Sequence, residues 1–344
     1  MLVHAGTVRA AMVSLSDLTG FADGPPAALS DEVLAAIDSL GARLGVDAPS
    51  LLTERAAIWS YTRNGRVSCG SASRLLRAAD NWIALSLTRP DDEDLVPAWI
   101  GCDPQWGLIE SAVAQRAAAE LVERGRLLGL PIAALGERAH GPLYQRTSVG
   151  AADPLTRPPV VVDLSSLWAG PLCTRLLHER GARVIKVEST SRPDGARRGP
   201  AAFFALMHSG KEFASIEFTG DSVREVLLNA DVVVEGSRPR ALEQLGIDAL
   251  DILGRGPRVW LSITGHGRGV PQREWVGFGD DAAVAGGLVA WSRDEPCFAG
   301  DAIADPLTGI ASAIAVLDAL DAGGRCLIDC NLAGVAAYVA GTSQ

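Results

Sequence analysis

Four short apolar segments in the second half of the chain constrain its fold more than any other feature. Each is five or six residues long and rich in valine or other β-branched and aromatic residues, and helical patterns separate them. They lie at 160–164, 183–188, 231–235 and 258–263. Strands that alternate with helices pair in parallel, and helices cover both faces of such a sheet. The pattern predicts an α/β fold with a doubly wound parallel sheet.

The loops after these strands are expected to surround one ligand site, because ligands of open α/β sheets bind beyond the carboxyl ends of the strands. The first loop, 165–171, runs from strand into helix without GxGxxG spacing, which disfavours a nicotinamide or flavin enzyme. Its helix N-terminus suits a phosphate or a developing oxyanion. The second loop carries Arg192, Arg197 and Arg198, which offer bidentate donors for phosphate. His266, in the glycine-rich last loop, is interpreted as an exposed histidine.

Asp305 stands at the start of a long helical pattern. Pro306 follows it directly, and apolar residues then recur at helical spacing from Leu307 to Leu320. The pattern predicts Asp305 at the N-cap, where backbone amides and the helix dipole favour an ionised carboxylate. This segment alone leaves two interpretations open: Asp305 caps its helix, or its carboxylate acts as a nucleophile.

Length and charge limit the classes of function. The chain has 344 residues, of which 48% are hydrophobic and 21% charged, and this suits two globular domains. Its formal net charge of -10 argues against a nucleic-acid or anionic-membrane partner, since both require a basic surface. No apolar run reaches the roughly 18 residues of a membrane span. Its start does not have the pattern of a secretion signal, so we expect a cytoplasmic protein.

The cysteines and lysines do not indicate metal or lysine chemistry. None of the six cysteines forms a CxxC pair or lies at metal-ligand spacing from histidines, so we predict free, buried thiols and no metal site. Cys326 and Cys330 lie four residues apart on a predicted strand and should share one face. Lys186 and Lys211 are the only lysines, and neither is predicted to be catalytic.

Changes in composition divide the chain into four segments. We predict a helical N-terminal segment at 1–60, a small α+β domain at 61–137, a linker at 138–158 and a large α/β domain at 159–344. The linker is rich in Gly, Pro, Ser and Thr and has little periodicity. The first segment has a helix start at Ser30 but shows no candidate residue for chemistry.

Several motifs follow one another over about 160 to 340. They are VVVDLSSLWAGPLCTRLLHERGARVIKVE, FFALMHSGKEFASIEF, ADVVVEGSRPRALEQLG, WLSITGHG, GDAIADPLTGIASA and IDCNLAGVAA. Together they resemble the class III CoA-transferases, the family of formyl-CoA transferase and carnitine CoA-transferase, with α-methylacyl-CoA racemase as a relative. The resemblance implies a Rossmann-like CoA-binding domain in which Asp305 is the nucleophile. Asp305 would take the acyl group of a CoA thioester as a mixed anhydride, and CoA would then move through an aspartyl-CoA thioester to a second carboxylic acid.

The resemblance also implies which residues contact CoA. Four of them line the thioester, and the others lie in later loops. They are Ser166, Leu167, Trp168 and Ala169 at the thioester, and Ser189, Leu206, His208, Gly236, Ser237 and Gln244 elsewhere. The implied substrates are an acyl-CoA and a carboxylic acid acceptor, with no tightly bound cofactor. The implied assembly is a homodimer.

The chain departs from the family pattern in its loops. Trp168 stands where formyl-CoA transferase has glutamine, and Gly236 and Ser237 replace an asparagine and an aromatic residue found in many members. We therefore expect an acyl pocket unlike that of formyl-CoA transferase, with an apolar lining suggested by Trp168, Phe278 and Trp291. Phe278 also stands where the racemase branch has a histidine, which disfavours proton abstraction at an α-carbon.

The order of the segments departs as well. ASRLLRAADNWIALSL and AAELVERGRLLGLPIAAL resemble the family's small domain, which normally follows the catalytic region but here comes first. Three hypotheses stay open: a CoA-transferase, an acyl-CoA racemase or isomerase, and a non-catalytic acyl-CoA-binding homologue.

Overall fold

The computed structural model describes residues 13–341, in which strands and helices alternate through most of the chain. The strands are β1 (Ser73–Arg77), β2 (Trp82–Ser86), β3 (Ile132–Ala134), β4 (Gln145–Gly150), β5 (Val160–Asp163), β6 (Arg183–Ser189), β7 (Glu212–Ile216), β8 (Val232–Glu235), β9 (Val259–Thr264), β10 (Val289–Ser292), β11 (Glu295–Phe298) and β12 (Arg325–Asn331). The α-helices are α1 (Asp31–Leu44), α2 (Ala48–Trp59), α3 (Pro90–Ile100), α4 (Trp106–Val113), α5 (Ala118–Leu128), α6 (Ala169–Glu179), α7 (Ala201–His208), α8 (Gly220–Leu228), α9 (Pro239–Glu243), α10 (Ala249–Arg255), α11 (Gly279–Ala285), α12 (Ala304–Ala322) and α13 (Leu332–Ala340). Each helix within 13–341 is too short or too polar to cross a membrane.

A seven-stranded sheet has the order β4-β12-β9-β8-β5-β6-β7. Six of its strands run parallel, and β4 pairs antiparallel with β12 at one edge. The chain passes from β5 outward to β6 and β7, and then returns so that β8 lies on the other side of β5. The direction of winding therefore reverses between β5 and β8, and ligands of open sheets bind at such a point.

Helices cover both faces of this sheet. Successive residues of a strand point to opposite faces. Val161 accordingly lies in a core with residues of α6 and α12, whereas Val162 lies in a core with residues of α8 and α10. The predicted doubly wound α/β architecture is confirmed.

A smaller α+β unit precedes the large sheet. Its three strands form an antiparallel sheet in the order β1-β2-β3. The helices α3, α4 and α5 contribute to a core on one side of it. On the other side lies α11, which also packs against α13. A helix from the second half of the chain therefore joins the small sheet to the helices of the large one.

Two edge strands were not among the predicted ones. The segment predicted as a linker contains β4, and β7 follows α7 at the opposite edge of the large sheet. All six residues of β4 are exposed, and β7 has no buried residue. Neither strand therefore carries the apolar run by which buried strands are recognised in sequence.

Candidate functional site

The start of α12 carries Asp305 as its second residue. The helix begins at Ala304 after Ile303, so the predicted N-cap position for Asp305 was wrong. The Asp305 backbone amide donates to Ala302 O at 2.9 Å, which closes the turn that enters the helix. Asp305 is partly exposed, whereas the residues on either side of it are buried. Its carboxylate is thus positioned on a rigid helix end, in a residue that is largely but not fully buried.

Close backbone packing fixes this turn. A Cβ added at Gly279, the first residue of α11, would lie 2.5 Å from Asp305 Oδ2 and 2.3 Å from Ala302 O. Ala302 itself has a φ of 42°, which residues with a side chain rarely adopt. Such conformations persist only where the surroundings hold them, and they concentrate at functional sites. Only glycine fits at position 279 beside the Asp305 carboxylate.

The charges around Asp305 are not balanced. Burial raises the pKa of Asp305 to about 7; the Arg55 cation lowers it, while the negative charges of Asp280 and Asp301 raise it further. The expectation that the helix start favours an ionised carboxylate was therefore wrong, because burial and two like charges outweigh Arg55 and the Gly279 backbone amide. A carboxylate with a pKa near neutrality can act as a nucleophile or as a base at physiological pH.

Arg55 reaches the site from α2. Its guanidinium donates from Nε to Asp301 Oδ2 at 2.8 Å and from Nη2 to Asp301 Oδ1 at 2.5 Å, and Asp301 is 1% exposed. It also lies over the Trp168 ring at 4.7 Å from the ring centre. Burial acts against the cation, but Asp301, Asp280 and Asp305 together raise the pKa of Arg55 above its usual value. Arg55 belongs to the segment 1–60, in which no residue for chemistry was predicted, and nothing in the local sequence distinguishes it from other arginines.

The loop between β5 and α6 lies at the switch point of the sheet. A Cβ built at Gly236, just after β8, would lie 3.4 Å from Ser165 Cβ, so the two loops touch. Leu167 has a φ of 71° and is 44% exposed, an unusual combination for a large apolar residue. Its backbone amide donates to Asp194 Oδ1 at 3.0 Å, and the Lys186 ammonium donates to Ser165 O. Loops after β5, β6 and β8 therefore meet, as expected from the fold.

Paired charges lie beneath this loop. The Lys211 ammonium lies 3.1 Å from Asp163 Oδ2, and the Lys186 ammonium lies 3.3 Å from Asp194 Oδ2. His208 stands between the pairs, with Nδ1 3.3 Å from the Lys211 ammonium and Nε2 3.7 Å from Asp194 Oδ2. Burial opposes ionisation of both aspartates, but Lys211 and Lys186 hold the pKa of Asp163 well below its usual range, and His208 and Lys186 lower that of Asp194 to about 2. Sequence reasoning did not find this network, in which the Lys211 ammonium contacts residues 37 to 48 positions before it in the chain.

Helix α12 packs directly on the helix that follows this loop. A Cβ at Gly309 would lie 2.8 Å from Ala169 O and 3.0 Å from Leu172 Cβ. The close approach joins the first turn of α6 to the second turn of α12. Asp305 and the loop after β5 are therefore parts of one rigid assembly.

The predicted CoA-contacting residues differ in exposure. Three are buried, three are partly exposed and four are exposed. The buried ones are Trp168, Ala169 and His208; the partly exposed ones are Ser189, Leu206 and Ser237; the exposed ones are Ser166, Leu167, Gly236 and Gln244. Gln244 is the residue that follows α9. Trp168 packs between Arg55 and Phe203, and the centres of the Trp168 and Phe203 rings lie 5.7 Å apart.

Two other loop predictions have different outcomes. Arg197 pairs with Glu188 through two hydrogen bonds of 2.9 and 2.6 Å, whereas Arg192 and Arg198 are exposed. His266 was expected to be exposed, but it is 5% exposed, because its loop packs against the backbone of Gly277. Burial and nearby arginines lower the pKa of His266 to about 3, so it is a neutral, buried side chain.

The cysteines are free throughout residues 13–341. Four of them are buried and two, Cys69 and Cys102, are partly exposed. Cys326 and Cys330 are both buried, in agreement with their predicted common face on β12.

Comparisons with known proteins place similar chains among the CoA-transferases. A model of CoA-transferase family III matches residues 159–343. An acyl-CoA transferase of Fusarium pseudograminearum is 32% identical over 189 residues, which are 48% of this chain and 41% of that protein. A succinate–glutarate CoA-transferase of Agrobacterium fabrum is 29% identical over 192 residues, 48% of each chain. The chain thus spans somewhat less than half the length of these curated relatives.

Among solved structures, a CaiB/BaiF family protein from Brucella suis is 31% identical, with a TM-score of 0.49 over 54% of this chain and 55% of that one. The family match covers more than half of the present chain and includes Asp305 and the loop after β5. The resemblance found in the sequence is confirmed: the chain belongs to CoA-transferase family III.

Proposed function

We propose that this chain is a CoA-transferase that moves CoA between an acyl-CoA thioester and a carboxylic acid, with Asp305 as the nucleophile. One observation carries the proposal: Asp305 is partly exposed at the rigid start of α12, and its carboxylate lies against Gly279 of α11, where no Cβ fits. Family membership supports the reaction class, and relatives named as succinyl-CoA and succinate–glutarate CoA-transferases support carboxylic acids as acceptors.

The reaction that we propose proceeds by acyl exchange at Asp305. Its carboxylate oxygen attacks the thioester carbonyl, the C–S bond breaks, and CoA thiolate leaves a mixed anhydride. The thiolate then attacks the aspartyl carbonyl, releases the first carboxylate and forms an aspartyl-CoA thioester. The acceptor carboxylate attacks that carbonyl and expels the thiolate, which takes the new acyl group and frees the Asp305 carboxylate. Every step exchanges one acyl bond for another, so no oxidant or metal is needed for the balance.

The CoA contacts that we propose follow from the loops at the switch point. Ser166 and Leu167 are exposed, and Ser166 lies beside Gly236 at the carboxyl ends of the strands, where ligands of this architecture bind. Exposed Arg192 and Arg198 suit the phosphates of CoA. His208 is buried, so we assign it to support of the loop through Asp194.

Hydroxylamine trapping tests the proposal. The protein incubated with an acyl-CoA and hydroxylamine should acquire a hydroxamate at Asp305, located by peptide mass spectrometry, and should lose exchange activity. Asp305→Asn should give no hydroxamate, whereas Asp38→Asn, on the exposed side of α1, should behave like the wild type. Full turnover by the Asp305→Asn variant would end the proposal.

A racemase is the second candidate, because an Asp305 pKa of about 7 also suits a base. Solvent deuterium at C2 of a branched acyl-CoA, without an acceptor acid, would select it. Binding of CoA in a calorimeter without exchange against a panel of acids would instead select a non-catalytic homologue.

The segment boundaries at 60, 137 and 158 and the homodimer also remain predictions. Limited proteolysis tests the boundaries, and light scattering tests the homodimer.

A further inference from the structure

A chain of two serines joins two neighbouring aspartates beside the candidate site. Ser73 and Ser86 face each other across β1 and β2, and their hydroxyl oxygens lie 2.8 Å apart. Ser73 Oγ lies 2.9 Å from Asp280 Oδ2, and Ser86 Oγ lies 2.8 Å from Asp281 Oδ1. Both serines and Asp281 are 0% exposed. The first turn of α11 thus touches the end of the small sheet through three consecutive short oxygen contacts.

The row of side chains from Asp280 through Ser73 and Ser86 to Asp281 has fewer hydroxyl protons than oxygen–oxygen contacts. Three contacts between oxygen atoms require three protons, but two hydroxyl groups supply only two. With both carboxylates ionised, one buried pair of oxygens would face each other at about 2.8 Å with no hydrogen between them. Unsatisfied contacts of this kind are costly away from water. A third proton on one of the carboxyl groups removes the conflict.

We propose that Asp280 and Asp281 share one proton through Ser73 and Ser86, so that the pair carries a single negative charge at neutral pH. In one arrangement Asp280 Oδ2 donates to Ser73, Ser73 to Ser86, and Ser86 to the Asp281 carboxylate. In the other, all three protons have shifted along the chain, Asp281 is the acid and Asp280 the carboxylate. No proton enters or leaves, but the negative charge changes its position.

The position of this charge matters for Asp305. Asp280 also accepts from the Ala302 backbone amide at 3.1 Å, in the turn that leads into α12, whereas Asp281 accepts from the Phe278 amide at 3.0 Å. The negative charge of Asp280 raises the pKa of Asp305. With the charge at Asp281, the Asp305 carboxylate is favoured; with the charge at Asp280, the neutral, acylated form is favoured. This consequence rests on the proposed function, whereas the shared proton does not.

Within residues 13–341, the titratable groups around these two aspartates are Arg55 on α2, Tyr61 just after α2, Cys69 ahead of β1, and Asp301 and Asp305 near the start of α12. The Ser68 hydroxyl also hydrogen-bonds to Asp280 and lowers its pKa. Burial raises the pKa of Cys69 to about 12, so its thiol is neutral. Burial and the charge of Asp301 raise the pKa of Asp280, and Arg55 lowers it. Burial raises the pKa of Asp281 to about 7. Both aspartates thus favour protonation, in agreement with the proton count.

Infrared spectroscopy tests the shared proton without any turnover. In an Asp305→Asn background, the protein should show a carboxylic acid carbonyl band at neutral pH. The band should vanish on Asp280→Asn and also on Asp281→Asn, because in each an amide N–H replaces the shared proton. Asp38→Asn, exposed on α1, should retain it. Absence of the band in that background, or its survival in both chain variants, would overturn the proposal.

The sign of two titration shifts provides a second test. With Asp305 present, its ionisation midpoint can be followed by the same carbonyl band. Asp280→Asn fixes the charge at Asp281 and should lower the midpoint, whereas Asp281→Asn fixes it at Asp280 and should not lower it. If both carboxylates were ionised, each substitution would remove a charge and both would lower the midpoint. That second pattern would contradict the proposal even if CoA transfer were established, and a failed transfer assay would leave both tests intact.

Discussion

Beneath the loop after β5, each of two buried aspartates has a buried lysine as its partner. At the start of α12, by contrast, the described structure has one arginine, Arg55, beside three aspartates, which are Asp280, Asp301 and Asp305. Burial opposes ionisation of the carboxylates in both regions. His208 and Lys186 outweigh it in the first, where the pKa of Asp194 falls to about 2. Arg55 does not outweigh it in the second, where the pKa of Asp305 rises to about 7.

The difference indicates different roles for the two regions. Fully paired buried charges hold a loop in one conformation and do not titrate near neutrality. Carboxyl groups without a full counter-charge change their protonation at working pH, which is a property of reacting groups. We therefore propose that the lysine pairs support the loop after β5 and that the chemistry takes place at the start of α12.

Removal of one lysine should have the largest effect on stability. Lys211→Met would leave Asp163 buried and unpaired, and we expect a loss of about 3–5 kcal/mol in the free energy of unfolding. Urea denaturation measures it. Arg183→Met breaks the exposed pair with Glu212 on neighbouring strands and should leave the free energy of unfolding nearly unchanged, because water screens exposed charges. Equal losses for the two variants would show that the lysine pairs are not the support that we describe.

A methyl group added at Gly279 should test whether Asp305 at the start of α12 takes part in the reaction. Gly279→Ala puts a Cβ against Asp305 Oδ2 and Ala302 O, so the carboxylate must move. We expect CoA exchange to fall by about 10²-fold or more, because small displacements of a reacting group are that costly. Gly254→Ala, in α10, has open space around the new Cβ and should leave the exchange rate unchanged. Wild-type rates for Gly279→Ala would separate Asp305 from the chemistry.

Loss of the Arg55 cation should shift the pH dependence of CoA exchange. The Asp305 carboxylate must be ionised to attack, so exchange should rise with pH through about 7. Arg55 lowers the pKa of Asp305, and Arg55→Met should therefore move the midpoint upward by about one unit. Rates measured across the pH range give the midpoint, with Arg43→Met on α1 as the control.

Arg55→Met also leaves Asp301 buried without its partner, so the variant needs a companion. Asp301→Asn removes a negative charge near Asp305 and should move the midpoint downward. The double variant removes both charges and should return the midpoint toward that of the wild type. Shifts of the same sign for the two single variants would contradict the charge sharing that distinguishes the α12 region.

The sequence was sufficient to predict the strands that consist of continuous, buried apolar residues. The four predicted strands agree with β5, β6, β8 and β9 to within one or two residues, because Val and Ile at those positions face helices on both sides. The edge strands β4 and β7 could not be found in this way, since their residues are mostly exposed and follow no apolar pattern.

The site was predictable only where a motif carries it. Asp305 and the loop after β5 were found through residues that lie together in the sequence. Arg55 lies 246 positions from Asp301, and only the packing of α2 against the second half of the chain brings them together. The ionisation of Asp305 was predicted wrongly for the same reason: it depends on Asp280, Asp301 and burial, none of which follows from the helix start.

The smallest effect is expected at the exposed surface of the loop after β5. Leu167 is 44% exposed, with its side chain beside Gly195, and we propose that it packs against bound CoA. Leu167→Ala should raise the KM for the acyl-CoA by about three- to tenfold with little change in kcat, since burial of a leucine side chain contributes roughly 1.5 kcal/mol or more. Leu127→Ala, 83% exposed on α5, should leave KM unchanged.

A second substitution at the same position separates the side chain from the backbone. Leu167 has a φ of 71°, which glycine adopts without cost, so Leu167→Gly relieves the backbone while removing the same contact. Both variants should raise KM alike if the side chain binds CoA. If Leu167→Gly kept the wild-type KM and only Leu167→Ala raised it, the loop conformation would be what CoA recognises, and the paired charges beneath the loop would act on binding through Asp194 and the Leu167 amide.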